Sequence, residues 1–376
     1  VANALYNVVD SIFVGQGVGE IGLTAVAIAF PLMAILMAVG MLVGLGASAL
    51  VSLRLGEKDH EGAEIVLGNA FTMIIALVLL TTAVALYYLD PLLVMLGASP
   101  EVLPYARDFT RIILAGSVFM HVSFGLNSVI RAQGDPKTAL GTMLIAAILN
   151  MILNPLFIFG LNMGIKGSAW ATVLSQATAT IWVLHYFLRG TGTLQLRIRY
   201  MAVRSQVFAG IAKIGMAPFC MQVGNSLVMV VFNFALLEHG GTLAVAAFGI
   251  VSRVMMLMLM PLVGISQGAQ PIIGYNYGAG NYLRVVETVK KASLAATGIC
   301  LIGFICVQLL AEQIVYLFNS NHALVEMGAV GLRLFLVMLP VIGFQLISAN
   351  YYQAIGKAGY AIVFNLLRQF IILIPM

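Results

Sequence analysis

A segment of this chain returns 222 residues further on. Gly46-Ala47 recurs as Gly268-Ala269, Gly56 as Gly278, Arg111 as Arg333, Leu114 as Leu336, Ala132 as Ala354 and Gly134 as Gly356. The spacing is the same in each pair (268 − 46, 333 − 111, 356 − 134), so the copies align without a gap over most of a half. Hydrophobic residues make up 61% of the chain and charged residues 9%, whereas a soluble domain is about a quarter charged. Between Glu20 and Arg54 lie 33 consecutive uncharged residues, more than the ~20 that cross a bilayer as a helix. These features specify an all-α polytopic membrane protein built as two similar halves. Internal duplication of this kind is the pattern of chains whose transport path runs between repeats.

Long uncharged runs between charged or Gly/Pro-rich breaks predict eleven spans. The first ends near residue 14. The next five lie at 23–53, 66–88, 105–131, 138–159 and 167–188. The second half gives 213–237, 243–274, 289–311, 327–353 and a last span from 359 onward. The expected domains are an N-lobe at 1–188, a basic linker at 189–212 and a C-lobe at 213–376. Pro218 maps to position −4 (218 − 222) and a twelfth span is missing, so the chain reads as a fragment of two six-helix lobes. Thirteen of the 19 Lys and Arg residues fall in the loops after even-numbered spans. By the positive-inside rule those ends, and the N-terminus, face the cytoplasm. Both lobes then share one orientation, with a pseudo-twofold axis along the membrane normal.

The net charge of +5 is scattered over loops and does not suggest nucleic acid. Cys220, Cys300 and Cys306 sit in apolar stretches, with no disulfide or zinc spacing. An intramembrane aspartyl protease would need two carboxylates within the spans, and only Asp10 is read there, Asp108 standing in the first turn of the span at 105–131. A zinc protease would need a His-Glu-x-x-His helix, which the chain lacks. No enzyme and no catalytic residue is expected.

Asp10 stands in Leu-Tyr-Asn-Val-Val-Asp-Ser, a few residues below the outer end of the first span. A carboxylate at such depth costs several kcal/mol unless it is protonated, paired or facing water. It can exchange a proton or hold a cation. Asn150 and Asn154 lie four residues apart on one helical face, and Pro155 frees a carbonyl one turn back. With Thr172 they offer oxygen donors that suit a hard monovalent cation such as Na⁺, although Asn and Thr also bond between membrane helices. Met33, Met37 and Met41 form a stripe at helical spacing, and Met255, Met256, Met258 and Met260 stand in the eighth span. Such soft surfaces accept varied apolar ligands, or simply face lipid. Arg253 lies about ten residues into that span, too deep for easy snorkelling. Arg111, Arg333 and Arg368 lie nearer helix ends or interior faces. Arg111, Arg333 and His121 read as structural. Pro31, Pro218, Pro261, Pro271 and Pro340 are expected to kink their helices.

Five stretches carry a family resemblance: Leu5 to Gly15, Asn127 to Lys137, Asn150 to Phe159, Gly167 to Gln176, and Gly264 to Asn281 (GISQGAQPIIGYNYGAGN). The chain resembles the multidrug and toxic compound extrusion (MATE) family, in its bacterial MepA-like and DinF-like branch. The resemblance implies twelve helices in two lobes around a central cleft, and antiport of a cation against an amphipathic, often cationic, drug. It makes Asp10 the helix 1 aspartate that holds the coupling ion, with Asn150 and Thr172 in the same N-lobe site. Asn154 departs from the pattern, because many relatives have an aspartate there, and one carboxylate remains instead of two. The C-lobe carboxylates that some relatives use are also missing; Asn225 and Ser226 occupy the seventh span. The expected partners are small amphipathic molecules and membrane lipid, with no cofactor beyond Na⁺ or H⁺ and a monomeric state.

The same residues bear on two other transporter architectures. A lipid-linked oligosaccharide flippase of the same superfamily would need a more basic cleft for pyrophosphate. A major-facilitator carrier would need a Gly-, Asp- and Arg-rich loop after the second span, which Arg54 to Asp59 echoes weakly.

Overall fold

The structure is a computed structural model that describes residues 13–189, 192–318 and 321–366. Asp10 and Arg368 lie outside the described residues. Contacts divide the chain into two compact units, Val1–Val223 and Gly224–Met376.

In the first unit, α1 is Glu20–Gly56, α2 His60–Tyr87, α3 Leu89–Met95, α4 Leu103–Ala132, α5 Pro136–Pro155 and α6 Ile165–Leu188. A π-helical turn, Leu156–Gly160, follows α5, and a 3₁₀ turn, Ile198–Tyr200, precedes the next helix. That helix, α7, runs Ser205–Gly278 and is broken at Gly241, whose φ of 64° is not helical. In the second unit follow α8 Tyr282–Tyr316, α9 His322–Phe335, α10 Leu339–Ala354 and α11 Ala358–Leu366.

Among the described residues, seven helices are long and apolar enough to span a bilayer, or eight if α9 and α10 count as one span bent by 46°. The three other expected spans are the first, which is described only at 13–18; α6, whose Ser, Thr and Gln residues dilute its apolar character; and the last, described only to Leu366. The break in the tenth span falls next to Pro340, one of the prolines expected to kink its helix. It follows from Pro340 in the first turn of α10, which has no N–H to continue the helix from α9. Most helices also run past their predicted ends. Asp59 caps α2 by accepting from the Gly62 amide at 2.8 Å, so the helix begins at His60 in charged sequence outside the apolar run.

The duplication extends to the backbone. At the end of α1 the amides of Glu57, Lys58 and Asp59 bond to the carbonyls of Leu53, Leu55 and Arg54; 222 residues on, those of Ala279, Gly280 and Asn281 bond to Tyr275, Tyr277 and Asn276. The turns after α4 and α10 repeat a second such set, Gln133, Gly134 and Asp135 against Ile355, Gly356 and Lys357. Left-handed backbone recurs at Gly19 and Gly241, Lys58 and Gly280, and Gly134 and Gly356.

In the first unit α1 packs on α2 and α4, α4 on α2 and α6, and α5 on α6. Small residues let the backbones approach: a Cβ on Gly44 would stand 3.0 Å from Gly125 Cα. Two apolar clusters fill this bundle. One gathers Leu36, Leu114 and Val173, the other Val43, Val78, Val122 and Val183. Polar bonds lie between them: Thr82 Oγ1 to Ser117 Oγ at 2.8 Å, Thr180 Oγ1 donating to the Phe119 carbonyl at 2.7 Å, and His121.

The basic linker is strapped to the first unit. Leu194 is fully buried and Tyr200 nearly so. Asn69 donates to the Tyr200 carbonyl at 3.1 Å and accepts from the Arg204 amide at 2.8 Å. Thr72 donates to the Met201 carbonyl at 2.8 Å. The start of α7 continues this contact, since a Cβ on Gly46 or Gly215 would overlap the carbonyls of Ile211 or Leu42. The compact division therefore falls at 223, about ten residues past the expected C-lobe start.

In the second unit α8 packs on α9 and α10, and α10 on α11. Its core joins Val251, Val254 and Leu262 of α7 to Ala296, Cys300 and Val307 of α8 and to Leu332, Leu339 and Ile347.

Candidate functional site

The polar residues of α5 and α6 form a connected line. Asn150 and Asn154, one turn apart on α5, are 2% and 0% exposed. Asn154 Nδ2 donates to Asn150 Oδ1 at 3.1 Å, and Asn150 Nδ2 donates to Thr172 Oγ1 at 3.1 Å. Asn154 has a further polar partner. The line lies in a stretch of α5 without a charge between Lys137 and Pro155.

Pro155 ends α5 without an N–H, so the Met151 carbonyl has no helical donor. The chain then widens: the Leu161 amide bonds five residues back to Leu156 at 2.9 Å. Such π turns gather at functional sites. Gly167 lets α6 meet this turn, because a Cβ there would stand 2.9 Å from the Phe157 backbone. The described end of the first span packs on the same turn. Phe13 meets Phe159 edge-on with ring centroids 6.3 Å apart, and a Cβ on Gly17 would overlap Ile158. Amide and hydroxyl oxygens at this depth can replace part of a cation's hydration shell and do not titrate near neutrality. Held charge would have to come from a carboxylate, and Asp10, the expected one, lies outside the described residues.

The methionines divide. Met33 packs half-buried against the first unit's cluster, Met41 is half-buried, and Met37 is 46% exposed. Met255 and Met258 pack into the second unit's core, Met258 beside Gly303 of α8. Arg253 is exposed on the face of α7 that also carries the exposed Met256 and Leu257. Arg111 is exposed, and Arg333 pairs with Glu312 at 3.3 Å.

One residue reaches further than its sequence context suggested. His121 is 1% exposed and places both ring nitrogens on backbone carbonyls, Nδ1 on Ser117 and Nε2 on Leu36, each at 2.7 Å. Its sole sequence signal is being the one ionisable group between Arg111 and Arg131.

Repeated helical units, spans of bilayer length and a buried polar line at a helix broken by proline define a polytopic membrane transporter. The MatE family model matches residues 1–156 and 216–376, and the chain belongs to that family. It is 28% identical to the multidrug export protein MepA of Staphylococcus aureus over 374 residues, all of this chain and 82% of that protein. The MepA protein of Staphylococcus haemolyticus is equally similar. An outward-facing multidrug resistance MATE family transporter of the MOP superfamily superposes with a TM-score of 0.92 at 26% identity, covering 98% of this chain and 82% of that one. A MOP superfamily transporter from Pyrococcus furiosus, for which reverse polarity of the binding pocket suggests a different function, matches at 0.91 and 26% over the same shares.

Proposed function

We propose that this chain is a cation-coupled antiporter that exports amphipathic, often cationic, compounds across a bacterial cytoplasmic membrane by alternating access. The observation that carries the coupling is the buried line Thr172, Asn150 and Asn154, set beside the described end of the first span. Asp10 would supply the charge and these neutral oxygens the remaining ligands for Na⁺; for H⁺, Asp10 alone would suffice. One carboxylate balances one monovalent cation per cycle. Ion and drug need not touch: each need only favour a different state, because a ligand shifts an equilibrium by its differential affinity. The multidrug export relatives support the substrate class, and the exposed Met37 offers an adaptable apolar contact.

The test is ethidium efflux from cells under a Na⁺ or a proton gradient imposed separately, with wild type beside Asp10→Asn. Efflux driven by one gradient and lost in Asp10→Asn is expected. Full ion-driven efflux by Asp10→Asn would refute the coupling. Well-inserted wild type without efflux would transfer the case to a lipid-linked oligosaccharide flippase.

A further inference from the structure

The strap on the first unit has a counterpart place in the second copy. In the first unit the strap lies on α2. The Gln195 amide donates to Glu64 Oε1 at 3.1 Å, the Tyr200 hydroxyl donates to Glu61 Oε1 at 2.9 Å, and a Cβ on Gly68 would overlap the Tyr200 carbonyl. Adding 222 carries Glu64, Gly68, Phe71, Ile75, Val122 and Val129 onto Val286, Lys290, Ser293, Thr297, Phe344 and Tyr351. Those six line a groove of about 450 Å³ between α8 and α10 of the second unit. The place is covered by the protein's own chain in the first copy and open, among the described residues, in the second. Glu64 and Val122 are buried, whereas Val286 is 65% exposed and Phe344 59%.

The charge of the place is inverted between the copies. Where the first offers Glu64 to Arg197 and Glu61 to Tyr200, the second has Val286 and Leu283. Where the first has Gly62, Gly68 and Asn69, the second has Arg284, Lys290 and Lys291. The one added acid, Glu287 in place of Ile65, is engaged by Lys291 at 2.7 Å. Lys290 is exposed and has no ion pair among the described residues. A second basic strap would be repelled here, and an anion would be attracted. Val286, Lys290, Ser293 and Thr297 follow at helical spacing on one face of α8. Thr297 stands seven residues beyond Lys290, about 10 Å along the helix, and the walls between them are apolar: Val289 and Leu294 of α8 and Phe344 of α10. Ser293 is 8% exposed, and its hydroxyl has no hydrogen-bond partner among the described residues although the side chain lines the groove. On the expected orientation this end of α8 faces the cytoplasm, and the cytoplasmic leaflet carries the anionic lipids.

We propose that the groove between α8 and α10 is a binding site for one anionic phospholipid. The Lys290 ammonium holds the phosphate as a point charge. The Ser293 hydroxyl, one turn deeper, donates to a glycerol ester carbonyl, and one acyl chain lies against Val289, Leu294 and Phe344. The lipid takes in the second copy the place that the strap takes in the first. A twelfth helix would stand where α6 stands, on the equivalents of α4 and α5; the bonds to α2 come from the strap, so such a helix leaves the α8 side of the groove open. The site does not depend on the exporter reading.

The test is native mass spectrometry of the full-length protein released from nanodiscs made of equal phosphatidylglycerol and phosphatidylcholine. Wild type should retain one phosphatidylglycerol in preference to phosphatidylcholine. Lys290→Gln should retain it about fivefold less, the weight of one Lys at an anionic surface. Lys213→Gln removes the same charge from an exposed site on the first unit and should retain the lipid as wild type does. Equal loss in the two variants would make the effect one of net charge and overturn the proposal, as would equal retention of both lipids by wild type. Thr297→Trp tests the slot, because an indole fills it and leaves Lys290 in place. Phosphatidylglycerol held at the wild-type level by that variant would overturn the seating of the acyl chain; if the variant fails to insert, the Lys290 comparison decides alone. Wild type that retains no lipid would mean that protein closes the groove, and the proposal fails.

Discussion

Single side chains close the ends of these helices, and Asp135 shows how charge enters. It caps α5, accepting from the Thr138 amide at 3.1 Å, and accepts from the Tyr186 hydroxyl at 3.2 Å. Partial burial alone would raise its pKa. The Thr138 and Tyr186 hydrogen bonds and the Lys137 charge outweigh that and hold the carboxyl below its ordinary 3.8. A depressed value in the folded state means that the ionised form stabilises the fold. That stabilisation is complete above about pH 4 and disappears as pH falls through the folded value. Asp135→Ala should therefore cost about 1 kcal/mol at neutral pH, read as a lower unfolding temperature in detergent. The gap between variant and wild type should narrow in acid below pH ~4.

The element about which the sequence says least is the linker. The stretch at 189–212 reads only as a basic linker, and in the structure Leu194, Leu196 and Tyr200 are buried and Asn69 ties it down. Asn69 lies inside an apolar run, where an amide could as well have paired with a neighbouring span, so nothing in its local sequence names its partner 131 residues away. Removing it orphans the Arg204 amide, a loss of about 1–3 kcal/mol. Asn69→Ala should therefore expose Arg197, Arg199 and Arg204 to trypsin while wild type resists, as fragments on a gel would show. Resistance in the variant would mean that Thr72 and the buried leucines suffice. The spans themselves were legible because an uncharged run of bilayer length has few alternatives. The shared face of Asn150 and Asn154 was legible from their i, i+4 spacing, and the structure bonds the two; Thr172 reads only as a further oxygen donor on the next span, and its hydrogen bond to Asn150 is not encoded in any spacing. The kink at Pro340 was legible as well, but the extension of helices into charged sequence and the double contact of His121 were not. Each depends on caps or on carbonyls of another helix, which an apolar pattern does not encode.

For the whole molecule, duplication sets the plan without setting the packing. Gly46 and Gly268 are the same residue in the two copies, yet a Cβ on Gly46 would overlap the Ile211 carbonyl and one on Gly268 meets nothing within 4 Å. Gly46→Ala should therefore lower folded yield sharply, because backbone cannot step aside. Gly268→Ala should be neutral or stabilising by up to about 1 kcal/mol through helix propensity. Equal effects in a thermal-stability assay would show that the copies pack alike after all. The strap also alters how the folded protein meets its bilayer. Arg197 pairs with Glu64 at 3.3 Å, Arg199 lies over the Tyr200 ring, and that tyrosine's hydroxyl reaches Glu61 at 2.9 Å. Arg54 is shared between Glu57 and Asp59. Topology is decided by Lys and Arg as the chain inserts, whereas anionic headgroups meet the finished surface. Of the cations that can orient the nascent chain, Arg54 and Arg197 are matched by the protein's own carboxylates once it folds, and Arg199 by a tyrosine. The mature molecule should accordingly hold anionic lipid less firmly than its count of basic residues implies.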